Sequence, residues 1–73
     1  MDEVEAMLEA LGRNVRGQCE QRGMTMDELA QATERPVALI EGIERADQGA
    51  SMIDLVRIAW ALDVPPADLL KVL

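Results

Sequence analysis

The sequence offers few side chains able to make or break a bond. It has no histidine and a single cysteine, Cys19. That excludes a Cys/His nucleophile pair, a zinc cluster and a disulfide framework. There is no glycine-rich phosphate loop, and the paired carboxylates fall on helical faces open to water. No enzyme activity, metal or small-molecule cofactor is expected. What remains is binding chemistry. Five of the six arginines, Arg13, Arg16, Arg22, Arg35 and Arg45, are the candidates, their guanidinium groups able to pair with phosphate or with carboxylate.

The elements that position these groups follow from composition and spacing. A chain of 73 residues holds one domain, taken as residues 1–73. Hydrophobic residues make up 49%, too many for a disordered chain, and the only aromatic is Trp60. The core must therefore be aliphatic, and the Ala, Leu, Met, Glu and Gln content favours helices. No run of 18 apolar residues is present, and the acidic start MDEVEAMLEAL is unlike a signal peptide. A soluble cytoplasmic protein with no membrane partner is expected.

Val4, Met7, Leu8, Leu11, Val15 and Cys19 recur at three- and four-residue spacing, which predicts a first helix over 3–22. Gly12 and Gly17 interrupt it, and Gly23 stops it. Thr25 and Glu28 form a capping box opening a second helix, Met26 to about Thr33. Pro36 suits the first turn of a third helix that runs to about Glu44. Ala46 to Ala50 read as a loop, and Ser51 caps a fourth helix whose inner face is Leu55, Ile58, Ala59 and Leu62. Pro65 and Pro66 break it, leaving a short fifth helix from Pro66 to Val72. No alternating run suggests a strand.

A short second helix, a tight turn and a third helix outline a helix-turn-helix motif, here about residues 25–44. The stretch Met24-Thr25-Met26-Asp27-Glu28-Leu29-Ala30 resembles Leu-Ser-Gln-Glu-Glu-Leu-Ala of the Cro and phage-repressor (Xre) family. Ile40-x-x-Ile43-Glu44-Arg45 resembles that family's Ile-x-x-Ile-Glu-Arg-Gly. Leu55-x-x-Ile58-Ala59-x-Ala61-Leu62-x-Val64, followed by Leu69-Leu70, resembles its fourth and fifth helices. The resemblance runs without a gap from Leu11 to Leu70. It implies an all-α, five-helix Cro/repressor-like domain, here with an extended first helix. It also implies a transcription regulator binding DNA as a homodimer, with the two third helices about one DNA turn apart.

In such a family the second helix lies on the DNA backbone and the third reads bases in the major groove. The matching face here is Thr25, Met26, Arg35, Pro36, Val37, Ala38, Glu41, Gly42 and Arg45. Arg35 and Arg45 are the expected phosphate contacts, with paired surface charges as the alternative. Met26 stands where a phosphate-binding Gln is usual. Val37 and Ala38 can touch a thymine methyl but form no bidentate bond, and Gly42 leaves a gap or admits another backbone. The net charge of −7, from 14 acidic and 7 basic residues, also opposes phosphate binding.

Those departures keep a second reading open. The former DNA face, apolar at Met26 and Pro36 to Leu39 and rimmed by Asp27, Glu34, Glu41 and Asp47, would bind a basic regulatory protein. Its role would be that of an antiactivator, an antirepressor or an accessory subunit.

Three further positions depart from the family pattern. Cys19 stands where a first-helix Arg usually pairs with the glutamate at 44, so Glu44 lacks that partner, with Arg16 and Arg22 the candidates to substitute. Cys19 itself reads as a small buried apolar residue, with a redox sensor as the alternative. The family's loop Gly and Pro are here Ala46 and Ala50. Trp60 replaces a polar residue and points away from the Leu55-Ile58-Leu62 face. Either Val4, Met7 and Leu8 fold back over the indole, or Trp60 anchors a partner. A dimer or partner interface is expected at Trp60, Leu69 and Leu73, while Met7, Met24 and Met52 are expected to fill the core.

Overall fold

The computed structural model describes residues 2–71. Asp2 caps the first helix, α1 (Glu3–Arg22), its carboxylate accepting from the Glu5 amide at 2.8 Å. The helix is unbroken through Gly12 and Gly17. Gly12 has a packing reason. A Cβ there would lie 2.6 Å from the Ile43 carbonyl oxygen and 2.9 Å from that of Glu44. Only a glycine lets α1 pass this close beneath the end of the third helix.

The second helix, α2 (Met26–Thr33), opens with the expected capping box. The Glu28 amide donates to Thr25 Oγ1 at 3.1 Å, and the Thr25 amide donates to Glu28 Oε1 at 2.9 Å. The third, α3 (Val37–Glu44), starts one residue after the expected position, with Pro36 as its N-cap. The fourth, α4 (Met52–Leu62), is capped by Ser51 through the Asp54 amide. The fifth element is tighter than an α-helix. Pro66–Leu70 forms a 3-10 helix, and Val72 lies outside the described residues.

α1, α2 and α4 end alike. The capping residue turns left-handed and donates back into the last turn, and the following N–H closes a second bond. Gly23 does this at no steric cost, whereas Glu34 (φ 57°) and Asp63 (φ 57°) adopt the same conformation with a side chain.

The core is aliphatic. Leu11 and Val15 from α1, Leu29 from α2, Ile40 and Ile43 from α3, Ile58 and Leu62 from α4, and Leu69 are all buried together. Each such side chain contributes about 1.5–3 kcal/mol when fully buried. Long-range polar ties also hold the bundle together. Asn14 Nδ2 donates to the Leu69 and Lys71 carbonyls at 2.9 Å each, fixing the C-terminal segment to α1. Arg57 Nη1 donates to the Thr33 carbonyl at 3.2 Å, joining α4 to the end of α2.

Candidate nucleic-acid interface

α2 and α3 pack side by side, with Leu29, Ala30, Ile40 and Ile43 turned inward. The opposite surface of the pair exposes Thr25, Met26, Pro36, Val37 and Ala38. Glu41 is half-buried, and Arg45 follows α3 exposed. Gly42 was expected on this open face, but it is buried. The Gln48 side chain lies across it.

The cations are not free. Arg35 Nε lies 2.8 Å from Asp54 Oδ1, off the line of a hydrogen bond but well within an ion pair. This joins the α2–α3 turn to the first turn of α4. Arg45 Nε meets Asp47 Oδ2 at 3.0 Å, both side chains largely in water. Such an exposed pair contributes only about 0–1 kcal/mol, so a phosphate can displace Asp47 cheaply. The start of α2 is anionic, with Asp27 and Glu28 in its first turn. Asp27 and Glu34 also line a shallow cleft together with Arg35, Pro36 and Val37.

Arg16, not a residue at position 19, serves Glu44. Its Nη2 donates to the Glu44 carbonyl at 2.8 Å, and its Nε lies 3.7 Å from Glu44 Oε1. The carboxylate is nevertheless largely enclosed, and its Oε2 has no hydrogen-bond partner. Burial raises its pKa above the ordinary 4.5, with Arg16 opposing the shift. Cys19 is buried beside it. Burial first, and then the Glu44 charge, push the thiol up to about 11. A thiol held protonated in this way is a packing residue rather than a reactive one. Among the described residues no cluster of His, Cys, Asp or Glu is placed to hold a metal ion.

A second exposed surface lies on α4. Trp60 is 78% exposed, and neither Val4 nor Met7 covers it, both being exposed themselves. Leu8 instead packs toward Gly49 in the α3–α4 loop. Met52, expected in the core, is 82% exposed. With Ile53, Val56 and Trp60 it borders an open groove of about 740 Å³, closed on one side by Ala32 of α2 and its C-cap Glu34. Leu69, expected at an interface, is fully buried in the chain's own core. Leu73 lies outside the described residues.

Sequence spacing gave no hint of Asn14, Arg57 or Gln48. Each acts on a backbone carbonyl of a different element. No periodicity marks such contacts.

The family model described as a helix-turn-helix domain matches residues 2–72. No curated protein matches the chain significantly. Among solved structures, the chain is similar to the clp gene regulator ClgR from C. glutamicum. The identity is 31% and the TM-score 0.81, over 88% of this chain and 83% of that one. It is also similar to the restriction-modification controller protein C.AhdI from Aeromonas hydrophila. There the identity is 26% and the TM-score 0.82, over 85% of this chain and 94% of that one. An HTH_3 family transcriptional regulator from Vibrio cholerae shares the fold at 21% identity and a TM-score of 0.85, over 90% of this chain and 37% of that one. No helix among the described residues is long and apolar enough to cross a membrane. The chain belongs to the helix-turn-helix domain family, and its structural neighbours are Xre/HTH_3-type regulators.

Proposed function

We propose that this protein is a cytoplasmic transcription regulator that binds DNA through α2 and α3 as a homodimer. The observation that carries this reading is the α2–α3 pair itself. It keeps its capping box and its buried inner face, and it exposes Val37 and Ala38 at the start of α3 and Arg45 just past its end. Likeness to ClgR over most of both chains supports it. Affinity rests on Arg35, Arg45 and the Thr25 hydroxyl meeting phosphate, while Val37 and Ala38 touch thymine methyl groups. Much of the preference comes from DNA shape. The test is fluorescence anisotropy with a random-sequence duplex at low salt. Arg35→Ala combined with Arg45→Ala should abolish binding, and undiminished binding by that variant contradicts the phosphate assignment.

Dimerisation is assigned to the α4 surface around Trp60. Large exposed apolar side chains at helical spacing suit an interface centre, and Trp is a preferred anchor there. Trp60 emission should shift to the blue as protein concentration rises, and Trp60→Glu should sediment as a monomer. A spectrum independent of concentration contradicts this assignment.

One observation favours a second reading. Arg35 and Arg45 both face carboxylates, and the same surface exposes Met26 and Val37. A protein with a basic surface then replaces DNA on this face. Absence of duplex binding, with capture of a regulator that is lost in Met26→Glu and Val37→Glu, would establish it.

A further inference from the structure

The exposed side of α3 has an unusual deficit. Val37, Ala38 and Gly42 bring no amide, hydroxyl or guanidinium to it. One such group lies there all the same, and it comes from outside the helix. The chain leaves α3 through a tight turn, in which the Asp47 amide donates to the Gly42 carbonyl at 2.9 Å. Ala46 adopts a left-handed conformation there (φ 62°). This turn lays the Gln48 side chain back across the helix. A Cβ at residue 42 would lie 2.8 Å from Gln48 Nε2 and 3.0 Å from both Cδ and Cγ. Nε2 donates to the Leu39 carbonyl at 3.3 Å. Gly42 follows Ala38 by one turn, so the amide flanks the same surface as Ala38. The missing side chain at 42 and the seated side chain of 48 occupy one place.

The Leu39 bond also fixes which way the amide faces, because a carbonyl accepts only from the nitrogen. It uses one of the four hydrogen-bonding positions of a glutamine amide. Gln48 is exposed, and its second N–H and Oε1 are left for a ligand. That is the donor–acceptor pair that matches adenine N7 and N6 in the major groove.

We propose that Gln48 supplies the hydrogen-bonded base readout that Val37 and Ala38 lack, an amide delivered to the α3 surface from the α3–α4 loop, and that it reads an adenine. The proposal rests on the DNA-binding reading above. It assigns sequence discrimination to a residue outside the helix-turn-helix.

The test is selection from a random duplex pool with the full chain, followed by sequencing, for wild type, Gln48→Ala, Gln48→Glu and Gly42→Ala. Wild type should enrich an A·T pair at one position of each half-site. Gln48→Ala should lose about tenfold of the preference there and nowhere else. Gly42→Ala keeps the amide but evicts it, and should lose the same preference. Gln48→Glu should shift the position toward cytosine, whose N4 donates to a carboxylate. Identical enrichment by all four proteins overturns the proposal and leaves Gln48 as a loop strap. A wild type that retains no duplex overturns it differently, by removing the DNA reading on which it stands.

Discussion

The carbonyl oxygen of Ile43 sits where a side chain at residue 12 would begin, 2.6 Å from the Cβ position of Gly12. Two helices far apart in sequence therefore meet backbone to backbone, and this contact sets the angle at which α3 is presented. Gly12→Ala must separate them. It should destabilise the fold by about 1–3 kcal/mol, the usual cost of overpacking, despite alanine's better helix propensity. Urea unfolding measures this. A stabilised variant would show that the contact yields freely.

Glu44 gives the fold a pH dependence of defined sign. Burial raises its folded pKa above the ordinary 4.5, so the folded state holds this proton more tightly than the unfolded chain. Its contribution is most favourable below that ordinary value and declines as pH rises to and through the raised folded value. Glu44→Gln carries no such term. The stability of wild type minus that of Glu44→Gln should therefore fall with rising pH across that window. A pH-independent difference in urea midpoints would contradict the enclosed carboxylate.

Glu34 holds a left-handed backbone that glycine adopts without cost. Its partner Arg57 lies 3.9 Å away across an exposed pair that contributes little. Glu34→Gly should raise stability by about 0.5–1 kcal/mol, read as a higher melting temperature. A lowered melting temperature would mean that the Glu34–Arg57 pair outweighs the strain.

Asp47 competes with DNA for Arg45. Asp47→Asn should leave stability within about 0.5 kcal/mol, since both side chains are largely solvated. It should tighten low-salt binding of a random duplex several-fold by freeing a cation and removing an anion. Unchanged affinity in anisotropy titrations would remove Arg45 from the phosphate contacts.

Much of the fold was legible because the signals are local. Thr25-x-x-Glu28, Ser51 and the three- and four-residue apolar spacing fix where helices begin and which face is buried. The interface was less legible because its character depends on contacts across the chain. Gly42 reads as a gap until Gln48 fills it, and Arg35 reads equally as a phosphate contact or a paired charge until Asp54 approaches from α4. Trp60 was ambiguous because periodicity turns it outward without saying whether α1 reaches it. α1 runs straight on and leaves it exposed.

The most direct measurement is the salt dependence of duplex binding. Wild type and Arg45→Ala would be titrated against a random-sequence duplex by anisotropy, from about 50 mM salt upward. A DNA-binding α2–α3 face gives wild-type dissociation constants of about 10⁻⁴ to 10⁻⁶ M or tighter at the lowest salt, weakening steeply as salt rises. Arg45→Ala then shows a log–log slope shallower by about 0.9. No binding by the wild type at high micromolar protein would contradict DNA binding and give this surface to a protein partner.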